Sequence, residues 1–198
     1  MEAVMQSSVS ERPSGTSKIL RGGFVLLLAA ISFYFIALAS PYWVHKSEGD
    51  QFTSLGIWNY CDNNLNVYRD VDYQTWCASV LSYPYLTALN SGLLRTLQAV
   101  AVIVLFLLIT TTFALGLKMF RLKDKSILLV VSMIANAVAV FFLLVIIAGV
   151  AGALSLIREV VPGGHLHVSF AFAVLAMITC IVGEVLICIE RTHQARFL

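Results

Sequence analysis

Four sets of residues in this 198-residue chain are of types that could carry chemistry. Cys61 and Cys77 lie 16 positions apart in one polar, aromatic-rich segment. If that segment faces an oxidising compartment the two thiols pair, and a ring of this size contributes roughly 3 kcal/mol in the chain-entropy description. The same segment carries Glu48, Asp62, Asp70 and Asp72. Carboxylates grouped along a path concentrate cations, with Asp70 and Asp72 the best placed, although a merely solvated loop is the plainer reading. Asn136 and Glu184 sit inside long apolar stretches. An amide facing lipid unpaired costs several kcal/mol, so Asn136 is expected to face the interior of a bundle. Glu184 is a functional candidate by position, while pairing with a basic residue such as Lys118, or staying protonated, is the simpler account. Finally, His165 and His167 are two positions apart, and a metal site needs three or four ligands, so no metal is expected there. Phosphate-binding loops, dinucleotide fingerprints, zinc-protease motifs and nucleophile elbows are missing from the sequence, which argues against an enzyme and against a cofactor.

The elements that must hold these residues follow from composition. Hydrophobic residues make up 59% of the chain and charged ones 12%, where a soluble domain carries about a quarter charged. Four stretches, near Phe24 to Tyr42, Leu97 to Leu117, Ile127 to Leu156 and Val168 to Ile189, suffice to cross a hydrocarbon core that needs roughly 20 helical residues. Lipid offers no partner for backbone N–H and C=O groups, and the runs lack a barrel's alternation, so each is expected to be a helix. The chain is thus an all-α membrane protein with four transmembrane helices, the first read as retained rather than as a cleaved signal. A net charge of +2 gives no footing for nucleic-acid binding.

Lys and Arg flank the helices on one side: Arg12, Lys18 and Arg21, then Lys118, Arg121, Lys123 and Lys125, then Arg191 and Arg196. Both termini are accordingly expected in the cytoplasm. The expected organisation is a cytoplasmic tail over 1–22, a four-helix domain over 23–190 with an extracellular loop at 43–95, and a short cytoplasmic tail over 191–198. The Ser-rich residues 1–20 are expected to be disordered. Within the loop, Phe52 to Tyr60 reads as one strand, with further strand-like pieces around Val67 to Tyr73 and Thr75 to Leu81. The third apolar stretch exceeds the membrane thickness, so its end near Leu154 to Val160 should project beside the loop until Pro162-Gly163-Gly164 breaks it. Ala148, Gly149, Gly152 and Ala153 have the spacing that lets helix backbones approach, most simply within the bundle. Cys180 and Cys188 read as small buried hydrophobes, with palmitoylation of Cys188 a second reading.

The ordered set Trp43, Gly56-Ile57-Trp58, Cys61, Cys77 and Arg95 resembles the claudin, peripheral myelin protein and epithelial membrane protein superfamily. The resemblance implies a left-handed four-helix bundle beneath a small antiparallel β-sheet formed by the first loop, with the disulfide joining two strands. It implies a packing role for Trp43 beyond that of an interfacial aromatic. Trp58 would wedge the sheet onto the helix ends, burying on the order of 200 Å². Arg95 would snorkel to headgroups or donate to loop carbonyls. The implied function is that of a multi-pass plasma-membrane protein at cell–cell contacts, binding copies of itself or related claudin-like proteins and shaping paracellular permeability. A second implied reading is a gamma-like auxiliary subunit tuning an ion channel or receptor. Membrane lipid is a partner in either case. If Asp70 and Asp72 line an ion path, Asp70→Asn with Asp72→Asn will abolish a sodium-over-chloride preference across cell monolayers. An unchanged preference would leave them as solvated loop residues.

Overall fold

The computed structural model of the protein describes residues 18–49, 51–63, 76–82, 84–121, 127–153, 157, 161 and 163–195. The N-terminal tail to residue 17, the strand-like piece around Val67 to Tyr73, the pair Asp70 and Asp72, and residues 196–198 lie outside these. Four helices dominate: α1 (Lys18–Ala39), α2 (Pro84–Phe120), α3 (Ile127–Gly152) and α4 (Val168–Ala195). All four are long and apolar enough to cross a membrane, over Lys18–Ala39, Gly92–Phe120, Ile127–Gly152 and Val168–His193. No more than 39% of the residues in any span are buried within the protein. Large apolar side chains such as Val25, Phe35, Phe106, Phe113, Ile134 and Phe141 point outward. Such a surface requires hydrocarbon around it, and the protein is a multi-pass membrane protein.

The helix ends depart from the apolar runs in both directions. α1 starts at Lys18 and stops at Ala39, because Pro41 disfavours helical geometry in the residue before it. Ser40 N–H still closes the last turn on Ile36 O at 3.1 Å. α2 begins at Pro84, where the missing N–H costs nothing in a first turn, and runs 37 residues, about 55 Å. Its first turns precede the span at Gly92. α4 likewise continues past Ile189 to Ala195. Continuous helix in α3 ends at Gly152, but the bonds Ala153 N to Gly149 O, Ile157 N to Ala153 O and Val161 N to Ile157 O keep i to i−4 spacing above it.

Sequential helices are neighbours, and α4 returns to pack along α1, which closes the bundle. Tyr34 Oη donates to Ala101 O at 2.9 Å across α1 and α2. Ser132 Oγ donates to Thr111 O at 3.3 Å across α2 and α3. The α1–α4 seam uses absent side chains instead: a Cβ on Gly183 would stand 3.5 Å from Leu27 and 3.8 Å from Gly23 O. The small residues late in α3 do less than their spacing promises. Gly149 packs on Leu97, whereas Ala148 and Gly152 face outward.

One end of the bundle carries an antiparallel sheet of five strands in the order β4-β3-β2-β1-β5. The strands are β1 (Val44–Glu48), β2 (Gln51–Leu55), β3 (Asn59–Asp62), β4 (Trp76–Ser79) and β5 (His165–Leu166). The expected single strand from Phe52 to Tyr60 is two strands, folded back at Gly56-Ile57-Trp58 where Gly56 N donates to Asn59 O at 2.8 Å. β1 and β2 pair Glu48 with Gln51 across a two-residue turn, for which Gly49 supplies a positive φ of 59°. The sheet is not built by the first loop alone, since β5 comes from the connection between α3 and α4 and pairs with β1.

Gly56 marks where sheet meets helix. A Cβ there would lie 2.7 Å from Pro41 Cα and 3.0 Å from Ser40 O, both backbone atoms with no room to retreat. Gly56→Ala should therefore cost roughly 1–3 kcal/mol. A melting temperature several degrees lower in detergent is expected, and an unchanged one would show that the turn and helix end can separate freely.

Candidate functional site

The sheet end of the bundle gathers most of the residues singled out by sequence, and Trp43 is its centre. Its side chain is 2% exposed and enters the same buried cluster as Tyr34, Ala101, Leu143 and Ala173. Trp43 Nε1 donates to Ala37 O at 2.7 Å, a carbonyl in the last turn of α1 that the helix itself leaves unpaired. Its backbone works as well, with Trp43 N–H donating to Leu55 O at 3.1 Å and Trp43 O accepting from His167 N–H at 3.0 Å. One residue thus joins α1, β2 and the lead into α4. Ile57 is buried in the same cluster and Trp58 packs against it half-buried, so the wedge under the sheet is shared between them.

Arg95 is exposed on α2. Among the described residues, the hydrogen bond from α2 to a loop carbonyl comes from Gln98, whose Nε2 donates to Ile57 O at 2.9 Å. Sequence inspection passed over Gln98; the signal available was an amide one turn inside an apolar helix, the same signal that picked out Asn136.

Cys61 and Cys77 form a disulfide, with sulfurs 2.08 Å apart, between directly opposed residues of β3 and β4. Val80 N donates to Trp58 O at 2.9 Å, so in this register the cysteines occupy a non-hydrogen-bonded pair, the closer of the two kinds, in keeping with a Cα separation of 4.1 Å. Glu48 meets Lys46 at 3.0 Å, and Asp62 accepts from Tyr60 Oη at 3.1 Å. Two of the five acidic loop residues are therefore engaged within the sheet.

His165 and His167 gain a third member, His45, across the β1–β5 pairing. The His45 and His167 rings stand 4.8 Å apart and those of His165 and His167 6.0 Å, with Tyr42 and Phe52 completing the cluster around His45 at 5.6 and 6.1 Å. Nδ1 of His45 and Nδ1 of His167 are buried with no hydrogen-bond partner among the described residues. Burial first, then the neighbouring His167 and His165, holds His45 below the usual histidine range. No three His, Cys, Asp or Glu among the described residues are arranged to hold a metal ion.

Inside the bundle, Asn136 is fully buried and its Nδ2 donates to Glu184 Oε2 at 2.8 Å and to Cys180 O at 3.0 Å. Glu184 thus meets an amide on α3, where a basic partner such as Lys118 was one of the readings the sequence allowed. Cys180 is buried, and Cys188 is intermediate in exposure.

The α3–α4 pair yields a direct test. Asn136→Leu strands the Glu184 carboxyl and should cost about 1–2 kcal/mol, while adding Glu184→Leu should recover most of it, since the carboxyl left stranded by the first change is then gone. Stability measured by denaturation in mixed micelles checks this, and a double variant weaker than the single one would contradict it. No family model matches the chain, and no curated protein matches it either.

Proposed function

We propose that the protein is a claudin-like binding and adhesion protein of the plasma membrane, acting at cell–cell contacts through its disulfide-braced sheet rather than through catalysis. The observation that carries this reading is a five-stranded sheet fixed on one end of a four-helix bundle by buried hydrogen bonds, with Cys77 of its last described strand exposed. A sheet so anchored presents a fixed surface to neighbouring molecules, and backbone groups along a terminal strand can pair side by side with another chain. The ordered residues Trp43, Gly56-Ile57-Trp58, Cys61, Cys77 and Arg95 support the same reading through their resemblance to claudins. Lys18, Arg21, Lys118, Arg121 and Arg191 fall at helix ends away from the sheet, which supports cytoplasmic termini and an extracellular sheet. Copies of the chain or related claudin-like proteins are the partners that fit.

The exposed small residues Ala148, Ala151 and Gly152 on α3 favour a second reading, a gamma-like auxiliary subunit that packs against the helices of a channel or receptor. Expression of the tagged protein in cells lacking junctional strands separates the two. Adhesion predicts enrichment at cell contacts with strands in freeze-fracture replicas. Uniform surface staining, with co-purification of a channel, would overturn it in favour of the second reading.

A further inference from the structure

We infer that His45, packed against His165 and His167, is a proton-operated latch, holding β5 and the lead into α4 against β1 when its ring is neutral and releasing them when it is protonated. The latch is small enough to be opened by one charge. β5 consists of two residues, paired as Val44 with Leu166 and His45 with His165, and is extended by the bonds His167 N to Trp43 O and Ser169 N to Tyr42 O. Beside it Gly164 is locked in place, since a Cβ would lie 2.8 Å from Val44 Cγ1 and 2.9 Å from Val161 Cγ1. A histidine therefore sits on each side of the joint between two segments far apart in the chain.

A proton arriving there finds no carboxylate among the described residues. Among the described residues, Nδ1 of His45 and of His167 are both buried without partners, and Ser54, directly opposite His45 in the register, has its Oγ buried and unpartnered too. The described titratable groups facing His45 are Tyr42 from the end of α1, His165 from β5 and His167 from the lead into α4. β2 contributes only Phe52 and Ser54. Lys46, next on β1, is a further positive charge, whose carbons reach to within 3.6 Å of where a Gly163 Cβ would stand, and Glu48 is taken up by Lys46. Protonation thus puts a hydrogen on a buried Nδ1, on a half-buried ring among other bases, with no described carboxylate to receive it.

The sign follows by linkage. The opened segment binds the proton more tightly than the closed one, so acid favours opening. The latch is closed above the ordinary histidine value of 6.5 and gives way as pH falls below it. This holds whichever partner the sheet engages.

The test is amide hydrogen exchange on the full-length protein in lipid nanodiscs at pH 7.5 and 5.0, corrected for intrinsic rates. Protection of the amides over 165–169 is expected to fall at least tenfold at pH 5.0, while those of β2 and β3 between 53 and 61 keep theirs. His45→Gln with His167→Gln, whose fold is checked by the same β2–β3 amides at pH 7.5, is expected to flatten the response. Equal protection of 165–169 at both pH values in the unaltered protein would overturn the latch. So would loss of protection across the whole sheet together, or a response surviving in a folded double variant.

Discussion

The structure depends on how a sheet is attached to a membrane bundle where water and lipid meet. A sheet on four helix ends covers carbonyls and N–H groups that neither solvent can reach, so each must be met by the protein. Trp43 solves the largest part of this with one side chain and two backbone groups. Its ring fills the top of the bundle core, its Nε1 satisfies Ala37 O, and its own N–H and C=O reach Leu55 and His167. Gln98 does the complementary service for Ile57 O from α2. Gly56 has no side chain because the end of α1 occupies the space one would need.

Below the sheet, hydrocarbon gives no hydrophobic reason for helices to associate, so close approach and hydrogen bonds must do it. Each seam has such a device: Tyr34 to Ala101 O, Ser132 to Thr111 O, Asn136 to Glu184 and Cys180 O, and Gly23 against Gly183. The same polar bonds that hold the bundle therefore also fix the height and rotation of α2 and α4 under the sheet, which is how packing in lipid comes to set the surface presented in water. The disulfide then ties β4 to β3 at the far side of the sheet from β5, so the five strands are braced covalently at one end and, at the other, by two residue pairs, the two backbone bonds that follow them and the histidine cluster.

Much of this was legible in the sequence. Four apolar runs of spanning length leave no choice but helices, and two cysteines in one loop have few other partners. Helix ends were not legible, because the first turns of α2 and the last of α4 are polar and lie beyond the apolar run. β1 alternates His, Lys and Ser with no apolar period, and β5 has two residues, too few for any pattern. Asn136 and Glu184 stood out as polar in an apolar setting, yet their pairing requires the vertical register of α3 against α4, which no local pattern encodes. Gly23 and Gly183 meet across the whole length of the chain for the same reason.

The central claim is that the sheet is clamped to the bundle by the Trp43 and Gln98 side-chain bonds. The direct measurement is amide exchange in β1 and β2 of a Trp43→Phe and Gln98→Leu variant in nanodiscs. Each bond contributes about 0.5–1.5 kcal/mol, so together their loss should speed exchange of the sheet amides roughly tenfold to a hundredfold, with the helices unaffected. Sheet protection equal to that of the unaltered protein would mean that something other than these bonds holds the sheet in place.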